Sequence, residues 1–299
     1  MSAGLYFQQL FRTVLSRQVE YSYSQDEESF TTMIPLQQDR LTQVWEFSHV
    51  LPFAGEWAWS VRRFASAIHP DTFLFRIDWR QDEPIAVTLY CRFPSEPDDL
   101  EFKRAITHAH PFHWHGPNPS AIASSLGLSG PRGIAFRATQ ACSLRTALYF
   151  RSEEHSGSAW SRRLMDLLAS CSYPQELAPL IEGQIRHLYR PGPIGVIGLD
   201  DGEDGVPSSL KFDPADVPLF KTFVWLTQIG VPADRIAALR RIAIGLRTEY
   251  VTYAGAQYRP DGMSGWRVYL ACEPEHSRIP GQMSFGSQRT LRPVRRLLH

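Results

Sequence analysis

Residues 72–79, TFLFRIDW, alternate strictly, with Phe73, Phe75, Ile77 and Trp79 on one face and Leu74, Arg76 and Asp78 on the other. After the turn RQDEP, the run IAVTLYCRF sets Val87, Leu89, Cys91 and Phe93 against Thr88, Tyr90 and Arg92. The two runs predict a β-hairpin with one apolar face and one polar, aromatic face. The unit recurs as GIAFRATQ–ACS–LRTALYFRS (133–152), PIGVIGLDDGEDGVPSSLKFDP (193–214) and TEYVTYAGAQYRPDGMSGWRVYLACEP (248–274).

Between the hairpins the period becomes helical. DDLEFKRAITHA (98–109), SAWSRRLMDLLAS (158–170), QELAPLIEGQIRHLY (175–189), ADVPLFKTFVWLTQ (215–228) and PADRIAALRRIAIGL (232–246) each carry an apolar stripe. Asp213 and Pro214, or Asp216, supply start signals for the fourth, and Pro232 stands where the first residue of the fifth is expected. Tyr90, Tyr149, Phe212 and Tyr269 close the hairpins at intervals of roughly sixty residues, the mark of an internal repeat. Each unit reads helix–strand–strand–helix. A degenerate first unit is expected in residues 1–60, where VEYSYSQDEESFTTMIPL reads as a short hairpin after an amphipathic N-terminal stretch. Residues 1–299 are read as one domain, with 275–299 as a basic tail carrying Arg289, Arg292, Arg295 and Arg296.

Repeated antiparallel hairpins can remove their edges by closing into a barrel, with the apolar faces meeting helices outside. The Arg, Lys, Thr and Tyr faces would then line an interior. The competing arrangement is an open α+β sheet whose polar face is solvated. Alternation alone fits both.

Composition narrows the partners. Thirty-one basic and 31 acidic side chains cancel, which argues against nucleic acid or an anionic membrane as the main partner. No run approaches a membrane span, and the N-terminus lacks the pattern of a secretory signal, so a cytoplasmic protein is expected. Cys91, Cys142, Cys171 and Cys272 lie far apart, as reduced thiols rather than a zinc site.

GIAFRATQACSLRTALYF, VIGLDDGEDGVPSSLKF and YAGAQYRPDGMSGWRVYL, in this order and spacing, resemble the ABBA prenyltransferases, most closely the peptide prenyltransferases of cyanobactin biosynthesis. The resemblance covers about residues 70–274. It implies an α/β fold, a closed antiparallel β-barrel of αββα units with helices outside. It also implies transfer of an isoprenyl group from a prenyl diphosphate to a nucleophilic peptide side chain, with Mg²⁺ accompanying the diphosphate. A small aromatic acceptor such as an indole or phenol is the alternative, and a non-catalytic ligand-binding barrel the other.

By the same resemblance Arg145, Lys211 and Arg267 fall at diphosphate-binding positions, and Tyr269 completes an Arg-x-Tyr in the last strand. Thr88 stands where an Arg is expected, with Arg76 or Arg92 as substitutes. No Glu opens the first hairpin, which leaves Asp78 as the nearest candidate for the activating carboxylate. Tyr90, Tyr149, Tyr253 and Tyr269 are candidates to shield the allylic cation. These residue types suit the chemistry: fixed cations stabilise the charge developing on a leaving diphosphate, and tyrosine faces attract an allylic cation while excluding water. In the peptide enzymes the strand matching residues 193–199 can carry consecutive phenylalanines. Gly195 and Val196 in their place would open room for geranyl over dimethylallyl diphosphate.

Two further motifs are read as structural. LDDGED (199–204) resembles the aspartate-rich motif of isoprenoid synthases but lies between strands, so a hairpin turn is expected. His108, His110, His113 and His115 in HAHPFHWH sit among prolines, as an irregular loop over one mouth of the barrel rather than a metal site.

Overall fold

The computed structural model describes residues 19–24, 29–36, 41–80, 83–141, 143–151, 157–188 and 195–272. The N-terminal stretch, the basic tail and Cys142 lie outside them. Eleven strands are described: β1 (Val19–Ser24), β2 (Ser29–Leu36), β3 (Thr72–Arg80), β4 (Glu83–Arg92), β5 (Gly133–Thr139), β6 (Leu144–Phe150), β7 (Val196–Asp200), β8 (Ser209–Asp213), β9 (Ala215–Pro218), β10 (Tyr250–Arg259) and β11 (Gly262–Cys272). Eight helices accompany them among the described residues: α1 (Leu41–Ser48), α2 (Gly55–Ile68), α3 (Asp99–His108), α4 (Pro119–Leu126), α5 (Gly157–Ser170), α6 (Leu177–Leu188), α7 (Leu219–Gln228) and α8 (Ala233–Gly245). The expected αββα alternation is present, including a β1–β2 hairpin in the first sixty residues.

All strands are antiparallel and belong to one sheet, ordered β11-β1-β2-β3-β4-β5-β6-β7-β8-β10-β9. The closed barrel expected from the sequence is corrected here. The sheet is an open, strongly curled half-barrel, in that its edge strands β11 and β9 stand 9 Å apart. That distance is about two strand spacings. β10 lies within it, pairing with β11 on one side and with β8 and then β9 on the other. The break in the wall falls at Asp213-Pro214. Proline offers no N–H to a ladder, so β8 stops, and the chain resumes as β9 against the other half of β10.

This break also corrects the fourth helix. Residues 215–218 are strand, Pro218 occupies the cap position, and the helix begins at Leu219 with neither Asp213 nor Asp216 capping it. Pro232 likewise precedes its helix instead of opening it. Helix α4 has no counterpart in the sequence reading, although Asn118 at its cap, Pro119 at its first turn and Gly127 in the left-handed conformation after it are ordinary signals. The best-formed start belongs to α3, where Asp98 and Glu101 make a reciprocal capping box.

The alternation of β3 and β4 fixes what each side of the sheet does. Phe73, Phe75, Ile77, Val87, Leu89 and Cys91 are buried on the convex side with Ile134, Phe136 and Leu148 from the next hairpin. Helix α2 lays Trp57, Val61 and Phe64 over them. The Phe64 and Phe136 rings meet edge to face at 4.8 Å, and Phe75 contacts Trp57 and Phe47 at 6.3 and 5.9 Å. The Trp57 indole N–H donates to the Phe136 carbonyl at 2.8 Å, so the ring's one polar atom is satisfied in the core. Phe75→Ala is expected to cost about 3–5 kcal/mol through lost burial and the cavity left behind. Chemical denaturation of wild type and variant measures it, and Arg145→Ala at an exposed position on the other face should move the midpoint far less.

Candidate functional site

The residues that alternate away from the helices meet on the concave face. Cross-strand register carries one row around the curl: Arg76 opposite Thr88, Thr88 opposite Arg137, and Arg137 opposite Arg145. A second runs through Tyr149, Gly198, Lys211 and Gln257. Gly255 and Tyr253 then face Arg267 and Tyr269. The sequence alternation thus places Arg76, Asp78, Tyr90, Tyr149, Lys211, Tyr253, Arg267 and Tyr269 on one surface.

Asp78 organises the centre of that surface. It and Arg76 are each only 4% exposed. The Arg76 Nε donates to Asp78 Oδ1 at 2.8 Å, Arg137 Nη2 meets Oδ2 at 2.7 Å, and the Thr31 hydroxyl donates to Oδ1 at 2.6 Å. Burial would raise the Asp78 carboxyl, but Arg76, Arg137 and Arg267 outweigh it and hold it well below the usual carboxylate range. A carboxylate fixed in this way is a weak proton acceptor, which removes the physical basis for Asp78 as the activating base. Arg76 also donates from Nη1 to the Tyr90 hydroxyl at 3.1 Å. Burial would raise the Tyr90 phenol, yet Arg76 and Lys211 outweigh it and lower it.

The other cations differ in their ties. Lys211 pairs with Asp200 at 2.5 Å, and Ser209 donates to the same carboxylate at 2.6 Å. Arg267 lines a cavity of about 370 Å³ together with Lys211, Asp213, Gln257 and Tyr269. Arg145 lies on the same face but is exposed at the hairpin rim, away from the buried centre. Arg92 stands at the opposite, helix-connected end, where it approaches Asp71 at 3.4 Å and feels Arg132 and Arg151. Neither shares the central cluster.

The four tyrosines form two ring pairs, Tyr90 with Tyr149 at 5.3 Å and Tyr253 with Tyr269 at 6.0 Å. Gly195 does not open the interior. Its φ is +82°, and a side chain there would meet the Asp213 carbonyl at 2.6 Å. Val196 is half-buried on the concave side, opposite Asp213. The glycine that does face inward is Gly198, where a Cβ would lie 3.2 Å from the Tyr149 ring.

Arg137, Asp200, Asp213 and Gly198 complete the site and carry no site role in the sequence reading. Arg137 was legible from the alternation of GIAFRAT. The others depend on how β7 and β8 pack. Among the described residues no three His, Cys, Asp or Glu side chains form a metal-holding group. Asp78 and Asp200 are already paired with cations of the chain, so the expected Mg²⁺ would be held with the diphosphate rather than by these two carboxylates.

The two decoy motifs resolve together. LDDGED is the β7–β8 connection, and Asp201 at its start accepts from the His115 and Gly116 amides at 2.7 and 3.1 Å and faces the His115 ring at 3.2 Å. The His-rich segment is a loop pinned to the β7–β8 connection at the hairpin end of the sheet. Its Phe112 packs on Phe136, on the convex side.

No known family model matches the chain, and no curated protein does. Solved structures do. The 5-dimethylallyltryptophan synthase from Streptomyces coelicolor, in complex with DMASPP and Trp, superposes with a TM-score of 0.59 at 15% identity, covering 89% of this chain and 82% of that one. The 6-dimethylallyltryptophan synthase from Micromonospora olivasterospora gives 0.57 at 12% identity over 86% and 81%. AnaPT from Neosartorya fischeri gives 0.53 at 10% identity over 85% and 77%. The chain therefore has the fold of the ABBA prenyltransferases. The narrower likeness to cyanobactin peptide enzymes is not what these structures support, since two of the three are dimethylallyltryptophan synthases by name. No helix among the described residues is long and apolar enough to cross a membrane.

Asp78→Asn should destabilise the protein by about 3–5 kcal/mol, because the buried Arg76 guanidinium and the half-buried Arg137 lose their counter-charge. In wild type the depressed Asp78 carboxyl contributes stability that is fully present above its unfolded pKa near 3.9 and is lost as pH falls below it. Denaturation midpoints measured from pH 7 down to pH 3 should fall in wild type, and the Asp78 share of that fall should vanish in the variant.

Proposed function

We propose that the protein is a prenyltransferase that moves an isoprenyl group from its diphosphate to a small aromatic acceptor such as an indole. The observation that carries this reading is the concave face itself, where Lys211, Arg267, Arg76 and Arg137 surround two tyrosine pairs inside a prenyltransferase fold. Breaking the donor's C–O bond leaves its electron pair on the diphosphate. Cations held in place stabilise that developing charge without reorganising. Arg76 and Arg137 are pre-set by Asp78, and Arg267 and Lys211 line the cavity directly. The organic fragment becomes an allylic cation. The faces of Tyr90, Tyr149, Tyr253 and Tyr269 would stabilise it by ~0.5–2 kcal/mol each while keeping water away.

The likeness of the fold to the dimethylallyltryptophan synthases supports the small acceptor over a peptide. The geometry of the site withdraws the argument for geranyl. Gly195 faces backbone, and the space at Gly198 is filled by the Tyr149 ring, so the shorter dimethylallyl donor fits this interior better. The non-catalytic alternative is a half-barrel that binds a prenyl diphosphate without consuming it.

Pyrophosphate release and prenylated product, measured with dimethylallyl and geranyl diphosphates against L-tryptophan, indole, a simple phenol and a tryptophan-containing peptide, test the reading. Turnover of the peptide alone would return the acceptor to the peptide class, and donor binding without turnover would support the non-catalytic alternative. Arg267→Ala should slow the reaction by about 2–4 kcal/mol, or ~30- to 1000-fold, the scale of one lost charge-stabilising donor. Arg145→Ala, exposed at the rim, should leave the rate near wild type. Gly198→Phe should displace Tyr149 and depress turnover with both donors.

A further inference from the structure

Alkylation of an aromatic ring releases a proton, and Asp78 is too firmly held by cations to take it. We infer that Asp213 is the general base of the site, its carboxylate accepting the proton that the aromatic acceptor loses on prenylation. The inference rests on the transferase reading above and assigns the residue that completes it.

Asp213 closes β8 at the break in the wall, with Val196 as its register partner. It lines the cavity beside Lys211, Gln257, Arg267 and Tyr269. Gly255 on β10 makes room for it: a Cβ at that position would lie 2.2 Å from Asp213 Oδ1 and 2.1 Å from the Phe212 carbonyl. The interior carboxylates thus divide by partner. Asp78 is held by two arginines and a threonine, and Asp200 by Lys211 and Ser209. Asp213 has no such hydrogen bond or ion pair among the described residues.

The groups facing Asp213 set its basicity. Lys211 from its own strand, Arg267 from β11 and Arg76 from β3 favour the carboxylate, while burial and Asp200 from β7 oppose it, and Tyr269 stands alongside. Burial wins, and the carboxyl is pushed up to about 6. A base poised there is ionised at neutral pH yet ready to hold a proton. Diphosphate arriving between Lys211 and Arg267 would add negative charge and raise it further.

The step balances. The donor C–O bond breaks with its electron pair going to the diphosphate. A π pair of the acceptor ring forms the new bond to the prenyl carbon. The ring's C–H bond then breaks, its electrons restore aromaticity, and the proton passes to Asp213 and afterwards to water.

Asp213→Asn keeps the shape and removes the acceptor of the proton. With dimethylallyl diphosphate and the accepted indole, kcat should fall by ~10²- to 10⁴-fold, the range of general-base catalysis. Dimethylallyl thiolodiphosphate should bind the variant no more weakly than wild type, since a negative charge beside Lys211 and Arg267 has been removed. Wild-type kcat/KM should rise with pH through about 6 and level above it, and the variant should show no rise there. A structural role alone would not remove that limb. A wild-type profile flat across about pH 6 overturns the assignment even if the variant fails to fold. Near-wild-type turnover in Asp213→Asn overturns it alone, with the transferase reading intact. Absence of pyrophosphate release from wild type with every donor and acceptor overturns both.

Discussion

Cations gathered on the inside of a curled sheet repel one another and lose hydration, and Asp78 is what lets them coexist. Its carboxylate lies between Arg76 and Arg137, buried with Arg76 and backed by the Thr31 hydroxyl. Three strands meet in this contact, since Thr31 belongs to β2, Asp78 and Arg76 to β3, and Arg137 to β5. Removing the carboxylate would leave buried positive charge without compensation, a far larger cost than the net worth of the pair itself. The same contact fixes the guanidinium that reaches Tyr90. Stability and preorganisation of the site therefore share one group.

Around that centre the division of the sheet into two faces separates two kinds of energy. The convex face gives its area to helices through Phe75, Phe136 and their neighbours, and holds the fold by burial and aromatic packing. The concave face contributes little of that. It holds charge in pairs and leaves Arg267 and Asp213 facing a cavity. An elevated carboxyl such as Asp213 lowers stability as pH rises from its unfolded value near 3.9 to about 6, because the native state must ionise it in a buried place. Sites that do chemistry commonly accept such costs, and the aromatic core on the other face is large enough to offset it.

The seam at Asp213-Pro214 belongs to both parts. Proline ends the ladder of β8 and diverts the chain into β9, and the residue before it is the one whose carboxylate enters the cavity. Asp200 and Lys211, one strand pair away, are locked to each other because the ladder there is continuous and sets them on the same face.

Periodicity alone determined most of the fold. The period of two gave the hairpins and their inward and outward sets, so Arg76, Lys211, Arg267 and the four tyrosines were legible as one surface before any contact was known. The change to a helical period gave the order of the units. Local sequence could not say how the sheet ends, because the meeting of β10 with β8, β9 and β11 joins residues far apart in the chain. Nor could it rank residues that share a face: Arg145 and Arg267 alternate alike, yet curvature leaves one at the rim and brings the other to the cavity. Gly195 and Gly198 show the same limit, for only the backbone beside each decides whether it opens space. The surroundings of Asp78 and Asp213 are decided by tertiary structure for the clearest physical reason. A carboxylate's basicity is set by the charges around it, and those arrive from strands that the sequence lists tens of residues away.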